Sequence, residues 1–107
     1  NSSIYKEVFD ILKTFCNKNK IKLNKCFRAN LNITFPLKTK TGKFHKDHKF
    51  EHRQLIVYLN NSDGDTILKK EGRIKFKKYR GACFDDQLHY AETPSKNKRA
   101  ILIFTFI

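Results

Sequence analysis

A mainly β sandwich or barrel backed by one N-terminal helix is the fold class this 107-residue sequence predicts. Three observations carry that expectation. Only one stretch, Ile4 to Phe15, repeats its apolar residues at helical spacing. The remainder breaks into short β-branched and aromatic runs divided by closely spaced turn signals. The last run, Arg99 to Ile107, is apolar on both faces, as befits a strand enclosed between layers. The length supports one domain over residues 1–107, with ten Phe and four Tyr to fill a modest core.

In the helical stretch, Ile4, Val8, Ile11, Leu12 and Phe15 recur every three or four residues, with Lys6, Glu7 and Lys13 between them. Ser2 or Ser3 is the candidate cap, and Asn17-Lys18-Asn19-Lys20 ends the pattern. Ile21 to Phe35 turns β-rich, placing Leu31, Ile33 and Phe35 on one face of an expected core strand. Pro36 to Phe44 has no apolar periodicity and reads as a loop. Gln54 to Asn60 is the clearest strand, closing on the Asp63-Gly64 turn signal. Ile67 to Phe76 forms a hairpin around Glu71-Gly72. In the last strand Arg99, Ile101, Ile103 and Thr105 take one face, and Ala100, Leu102, Phe104 and Phe106 the other.

The chemistry centres on His45 and Asp47. Residues two apart on a strand project to the same face, so both can reach one metal ion from a single extended segment. A third ligand must come from elsewhere, and His89 is placed to supply it if the chain folds back antiparallel. Two imidazoles and one carboxylate on one side of a metal leave the opposite positions open, the facial arrangement of non-haem Fe(II) oxygenases. Arg99 follows His89 after the polar loop Ala91 to Lys98, and a guanidinium one strand over from the metal can clamp the far carboxylate of a dicarboxylic co-substrate. His48 is an odd number of residues from His45 and faces away from it; His48 and His52 are read as solvated or as partners behind the ligands. Asp85 and Asp86 precede His89 and are read as orienting the local turn or supporting the ligands from outside.

Taken in order, His45-Lys46-Asp47, Tyr58-Leu59-Asn60, Gly64-Asp65-Thr66, Phe84-Asp85, His89 and Arg99 resemble the 2-oxoglutarate- and Fe(II)-dependent dioxygenases in their prolyl-hydroxylase-like branch. The resemblance covers roughly half the chain. It implies a double-stranded β-helix (jelly roll) with an N-terminal supporting helix, Fe(II) held by His45, Asp47 and His89, and 2-oxoglutarate and O2 as co-substrates. It also implies that Arg99, Tyr58 and Thr66 bind the co-substrate, and that prolyl residues of a protein are the first substrate class to consider. Arg28-Ala29-Asn30-Leu31 looks like the strand before the family's metal motif. The chain departs from the pattern at Tyr79-Arg80-Gly81, where the family has proline before the glycine. Members usually carry more helical support before the first core strand, so the chain reads equally as the core of a longer one.

Other features set bounds. The formal charge of +13 comes mostly from Lys spread along the chain, so a nucleic-acid partner is possible but not favoured against a protein or small-molecule substrate. No apolar run reaches the length of a membrane span and no signal-peptide order opens the chain, which predicts no membrane partner. Cys16, Cys26 and Cys83 leave at least one thiol unpaired and lack metal-type spacing, favouring a reducing, cytoplasmic location. Asn1-Ser2-Ser3, Asn32-Ile33-Thr34 and Asn60-Asn61-Ser62 match the glycosylation sequon, as an Asn-rich chain does by chance. Two rival functions remain: a jelly-roll binding module without catalysis, and a basic β-domain that binds nucleic acid through aromatics set beside Lys and Arg.

Overall fold

The computed structural model describes residues 3–36 and 43–107, with side chains described from residue 6 onward. Helix α1 (Ser3–Lys18) is followed by strands β1 (Cys26–Thr34), β2 (Arg53–Tyr58), β3 (Thr66–Leu68), β4 (Gly72–Ile74), β5 (Gly81–Asp85), β6 (His89–Ala91) and β7 (Arg99–Phe106). One antiparallel sheet has the order β1-β7-β2-β5 and a smaller one β4-β3-β6. The fold is a jelly roll with α1 packed on the outside of the larger sheet. The cap candidates lie outside the described side chains, and residues 37–42 of the expected loop lie outside the described residues.

The helix ends where its apolar periodicity stops. Lys20 turns left-handed (φ 56°), Lys20 N–H donates to Asn17 O and Ile21 N–H to Cys16 O, the paired bonds of a Schellman closure. Leu12 and Cys16 then pack with Leu55, Leu102, Phe104 and Phe106 from the larger sheet. On the sheet's other side, Ile56, Tyr58, Leu68, Phe84 and Ile101 form a second core facing the smaller sheet. Strand β7 is central and feeds both cores by strict alternation, Leu102, Phe104 and Phe106 outward to the helix and Ile101 inward. The two-faced reading of the last strand is what the structure shows.

The expectation for β1 needs correction. Leu31 and Ile33, with Phe35 just beyond the strand, are exposed. Strand β1 is the edge of its sheet among the described residues, and it gives only Cys26 and Ala29 to the helix-side core, so neither core covers Leu31, Ile33 or Phe35. The Asp63-Gly64 turn also does more than reverse the chain. Strands β2 and β3 belong to different sheets, and the turn is the corner between them. It is held by a seam to the segment before β7: Asn60 Nδ2–H donates to Lys98 O, Ser62 Oγ–H to Asn97 O and Asn97 Nδ2–H to Asn61 O, while Ser95 donates to Asp63.

At the corner, Gly64 has φ +95°, and a Cβ there would lie 2.6 Å from Glu92 O and 3.3 Å from Arg99 Cδ. Gly72 has a similar φ of +96° but nothing within 4 Å. Gly72→Ala should therefore cost only the backbone strain, on the order of 1 kcal/mol. Gly64→Ala adds a clash with backbone and should cost on the order of 2–4 kcal/mol. Denaturant unfolding of the two variants measures the difference, and equal losses would show that the corner yields.

Candidate metal centre

The centre begins with one antiparallel bridge. His45 N–H donates to His89 O at 2.9 Å and His89 N–H to His45 O at 3.1 Å, so His45, itself outside any strand, forms an isolated hydrogen-bonded bridge with the first residue of β6. Directly opposed residues project to the same face, and the imidazole centroids come to 4.6 Å. Asp47, two residues along, joins that face as the spacing predicts. His89 Nε2 lies 3.3 Å from Asp47 Oδ2, and His45 Nε2 3.9 Å from Asp47 Oδ1. One donor atom from each of the three residues falls within 4.8 Å of the others.

Both rings are oriented from behind. His45 Nδ1 is 3.0 Å from Lys43 O and His89 Nδ1 is 3.0 Å from Gln87 O. A carbonyl only accepts, so each Nδ1 carries a hydrogen, and Nε2 is the ring nitrogen turned toward Asp47. Outer carbonyls commonly fix metal-binding histidines in this way. Gln87 is itself buried and locked, its amide donating to Asp85 Oδ1 and Glu71 Oε1 and its Oε1 accepting from Lys70 N–H. Asp85 thus orients the turn before His89, as expected of it.

The electrostatics of the cluster turn on Asp47. Asp47 Oδ2 is buried without a hydrogen bond, because His89 Nε2 approaches closely but outside hydrogen-bonding geometry. The Asp47 carboxyl sits below its ordinary range, chiefly through this polar contact with His89, against the opposing cost of burial, with the charges of His45 and Arg28 adding to it. For His89, burial disfavours the imidazolium, but Asp47 and the Gln87 carbonyl outweigh it and the net shift is upward. Two lone-pair donors facing each other at 3.3 Å need a proton or a metal between them, and a metal displaces the proton. Bonds of about 2.1 Å place neighbouring ligands roughly 3 Å apart, so the donors must draw in slightly. The His45 side chain, 54% exposed against 15% for Asp47 and 7% for His89, has the freedom to do so. The donor set fits a metal ion.

The triad lines a cavity of about 160 Å³ together with Asn32, Thr34, Gln54, Thr66 and Arg99. Arg99 is only 2% exposed. Its Nε–H donates to Gly64 O at 2.7 Å and its Nη2–H to Thr66 Oγ1 at 3.0 Å, and the guanidinium carbon stands 5.8 Å from the Tyr58 ring centre and 5.5 Å from that of Phe76. Among the described residues no carboxylate forms an ion pair with it. Burial lowers its hold on the proton, while Tyr58 and, at longer range, Asp65 offset part of that; arginine stays charged regardless. Tyr58 is fully buried and its hydroxyl is 2.8 Å from Thr66 Oγ1, with burial the main cause of a raised pKa. It thus reaches the cavity through Thr66.

The structure therefore gathers all six sequence-chosen residues around one cavity, Tyr58 at one remove. Other residues escaped the sequence. Arg28 of β1 lies 3.8 Å from Asp47, a pairing across strands far apart in the chain. Gln54 is buried in the cavity wall with an unpartnered Oε1, and nothing in the run Arg53 to Tyr58 marks it. His48 and His52 are not solvated: His48 stacks on Phe50 at 4.6 Å and binds Thr105 Oγ1, and His52 is buried against it. Phe27 and Phe50 draw these rings into an aromatic cluster.

No protein-family model matches the chain, and no curated protein matches it in sequence. Among solved structures, an RmlC-like cupin protein from Desulfovibrio desulfuricans is similar, with a TM-score of 0.51 and 18% identity, covering 79% of this chain and 78% of that one. At that identity the likeness speaks to the fold, and the chain has the cupin-like jelly roll.

Proposed function

We propose that the protein is a 2-oxoglutarate- and Fe(II)-dependent oxygenase that hydroxylates a protein or small-molecule substrate, with prolyl residues the first class to test. The observation that carries the reading is the buried Arg99, which has no carboxylate ion-pair partner among the described residues, in the same cavity as His45, Asp47 and His89. Leaving a desolvated cation without a counter-charge is costly, and a co-substrate carboxylate supplies one. A zinc hydrolase can use the same kinds of donor but gives no reason for such a guanidinium.

His45, Asp47 and His89 would hold the iron from one side and leave the facing positions open. Iron with 2-oxoglutarate supplies the activation of O2, which no side chain here performs. The protein holds and orients. The carbonyls of Lys43 and Gln87 keep both histidines in the tautomer that offers Nε2. Arg99 has five N–H donors, two of them committed to Gly64 and Thr66, so the rest can meet the distal carboxylate end-on while Thr66, braced by Tyr58, accepts or donates beside it. Ile56, Ile101 and Ile103 line the same cavity and limit water there.

Asp47→Ala removes the anionic donor and should weaken Fe(II) binding at least tenfold, with succinate formation from 2-oxoglutarate lost. Asp85→Ala should keep metal binding within about threefold, because Gln87 has two further partners to hold it. Anaerobic Fe(II) titration compares them, and equal losses would move the carboxylate ligand elsewhere.

Arg99→Ala should lower affinity for 2-oxoglutarate in the iron-loaded protein at least tenfold, since loss of one partner of a desolvated charge pair costs on the order of 2–5 kcal/mol. Arg99→Lys should lose less, keeping charge without the planar fork. Iron affinity without co-substrate should hold, and melting curves check that each variant folds. Superimposable 2-oxoglutarate titrations would remove the co-substrate assignment.

A further inference from the structure

The bridge that builds the metal centre also builds a surface on its reverse side. With His45 opposite His89, antiparallel pairing sets Phe44 opposite Tyr90 and Lys46 opposite Leu88, all four on the outer face of the smaller sheet. The Phe44 and Tyr90 rings meet at 4.8 Å and 81°, and Phe44 remains 42% exposed. Lys69 Nζ stands 5.9 Å from the Phe44 ring centre. Beside this pair is a hollow of about 190 Å³ lined by Lys46, Lys69, Lys70, Asp86, Gln87 and Leu88. Lys46 and Lys69 take part in no ion pair among the described residues, and Lys70 has only an exposed contact of 3.6 Å with Asp85. Three lysines thus line one hollow with one carboxylate, Asp86, and Asp85 engages Lys70 alone.

From this arrangement we infer that the outer face of the smaller sheet binds single-stranded nucleic acid, a backbone phosphate seated among Lys46, Lys69 and Lys70 and an unpaired base against Phe44 and Tyr90. The lysines supply the complement to a phosphate, and the formal charge of +13 adds long-range attraction to a polyanion. The exposed Phe44 ring, backed by the half-buried Tyr90, gives the flat apolar partner that an unstacked base needs. An acidic peptide would use the lysines and leave the rings idle. The inference is independent of the oxygenase reading, because the rings and lysines point away from the metal ligands and binding needs no turnover.

Fluorescence polarisation of a labelled oligothymidylate of about 12 nucleotides, a length within the usual site sizes, tests it on the full chain. Binding should weaken with salt, log K falling by about 0.7 per log salt for each phosphate engaged. The Lys46→Ala, Lys69→Ala, Lys70→Ala triple variant should weaken binding at least tenfold and flatten the slope. Phe44→Ala should lose about fivefold or more, the value of one stacked base, with the slope unchanged. Phe44→Leu keeps apolar bulk without the ring and should also weaken binding, which separates stacking from a folding defect. A matched triple on α1, Lys6→Ala, Lys13→Ala and Lys18→Ala, should stay within twofold. The inference is overturned by absence of binding, by an equal loss in the α1 triple, or by polyglutamate binding as tightly and indifferently to Phe44→Ala.

Discussion

Burial of the Arg99 guanidinium is the interaction on which the rest of the architecture turns. A charge taken out of water must recover its solvation from fixed dipoles, and here two come from one corner: the Gly64 carbonyl and the Thr66 hydroxyl. Those contacts tie the start of the central strand β7 to the crossing between the two sheets. They also explain the residues around it. Only glycine can sit at position 64, because its carbonyl must turn toward Arg99 while Glu92 O passes 2.6 Å from where a Cβ would be. Tyr58 and Phe76 flank the guanidinium with aromatic rings, a weakly hydrated cation being well suited to such faces.

The candidate metal centre rests on a different economy of means. His45 and Asp47 belong to an irregular segment with one bridge to β6, so its position depends on two backbone hydrogen bonds and on what the side chains hold. The Nδ1 contacts to carbonyls two residues earlier in the chain make each histidine brace itself locally, and the network around Gln87 stiffens the His89 side. The centre is accordingly asymmetric, with a buried His89 fixed by several partners and an exposed His45 able to move. Such asymmetry suits a site that must close around an ion. The same bridge sets the opposite face, which is why Phe44 and Lys46 lie outside while their neighbour His45 lies inside.

Much of this was legible in the sequence, and the reason is period. A two-residue repeat fixes which side chains share a strand face, so the pairing of His45 with Asp47 and the split of β7 into Arg99, Ile101 and Ile103 against Leu102, Phe104 and Phe106 follow from spacing alone. The 3.6-residue repeat likewise fixed α1 and its buried Leu12. Period says nothing about what lies on the far side of a face. Leu31 and Ile33 alternate as a core strand does, yet they are exposed because neither core reaches over their part of β1.

Long-range pairing was decided by tertiary structure. That His89 lands opposite His45, that Arg28 meets Asp47 and that Gln54 enters the cavity wall are consequences of how separate segments of the chain are brought together, which the collective packing of both sheets sets. The half-burial of His48 and the burial of His52 have the same origin, since Phe27 of β1 and Phe50 gather with them into one cluster. The sequence by itself determined which side chains could act together on each strand: two imidazoles, one carboxylate and one guanidinium. Only the folded chain decided that they share one cavity, because a strand's alternation is local while the sheet that brings strands together is not.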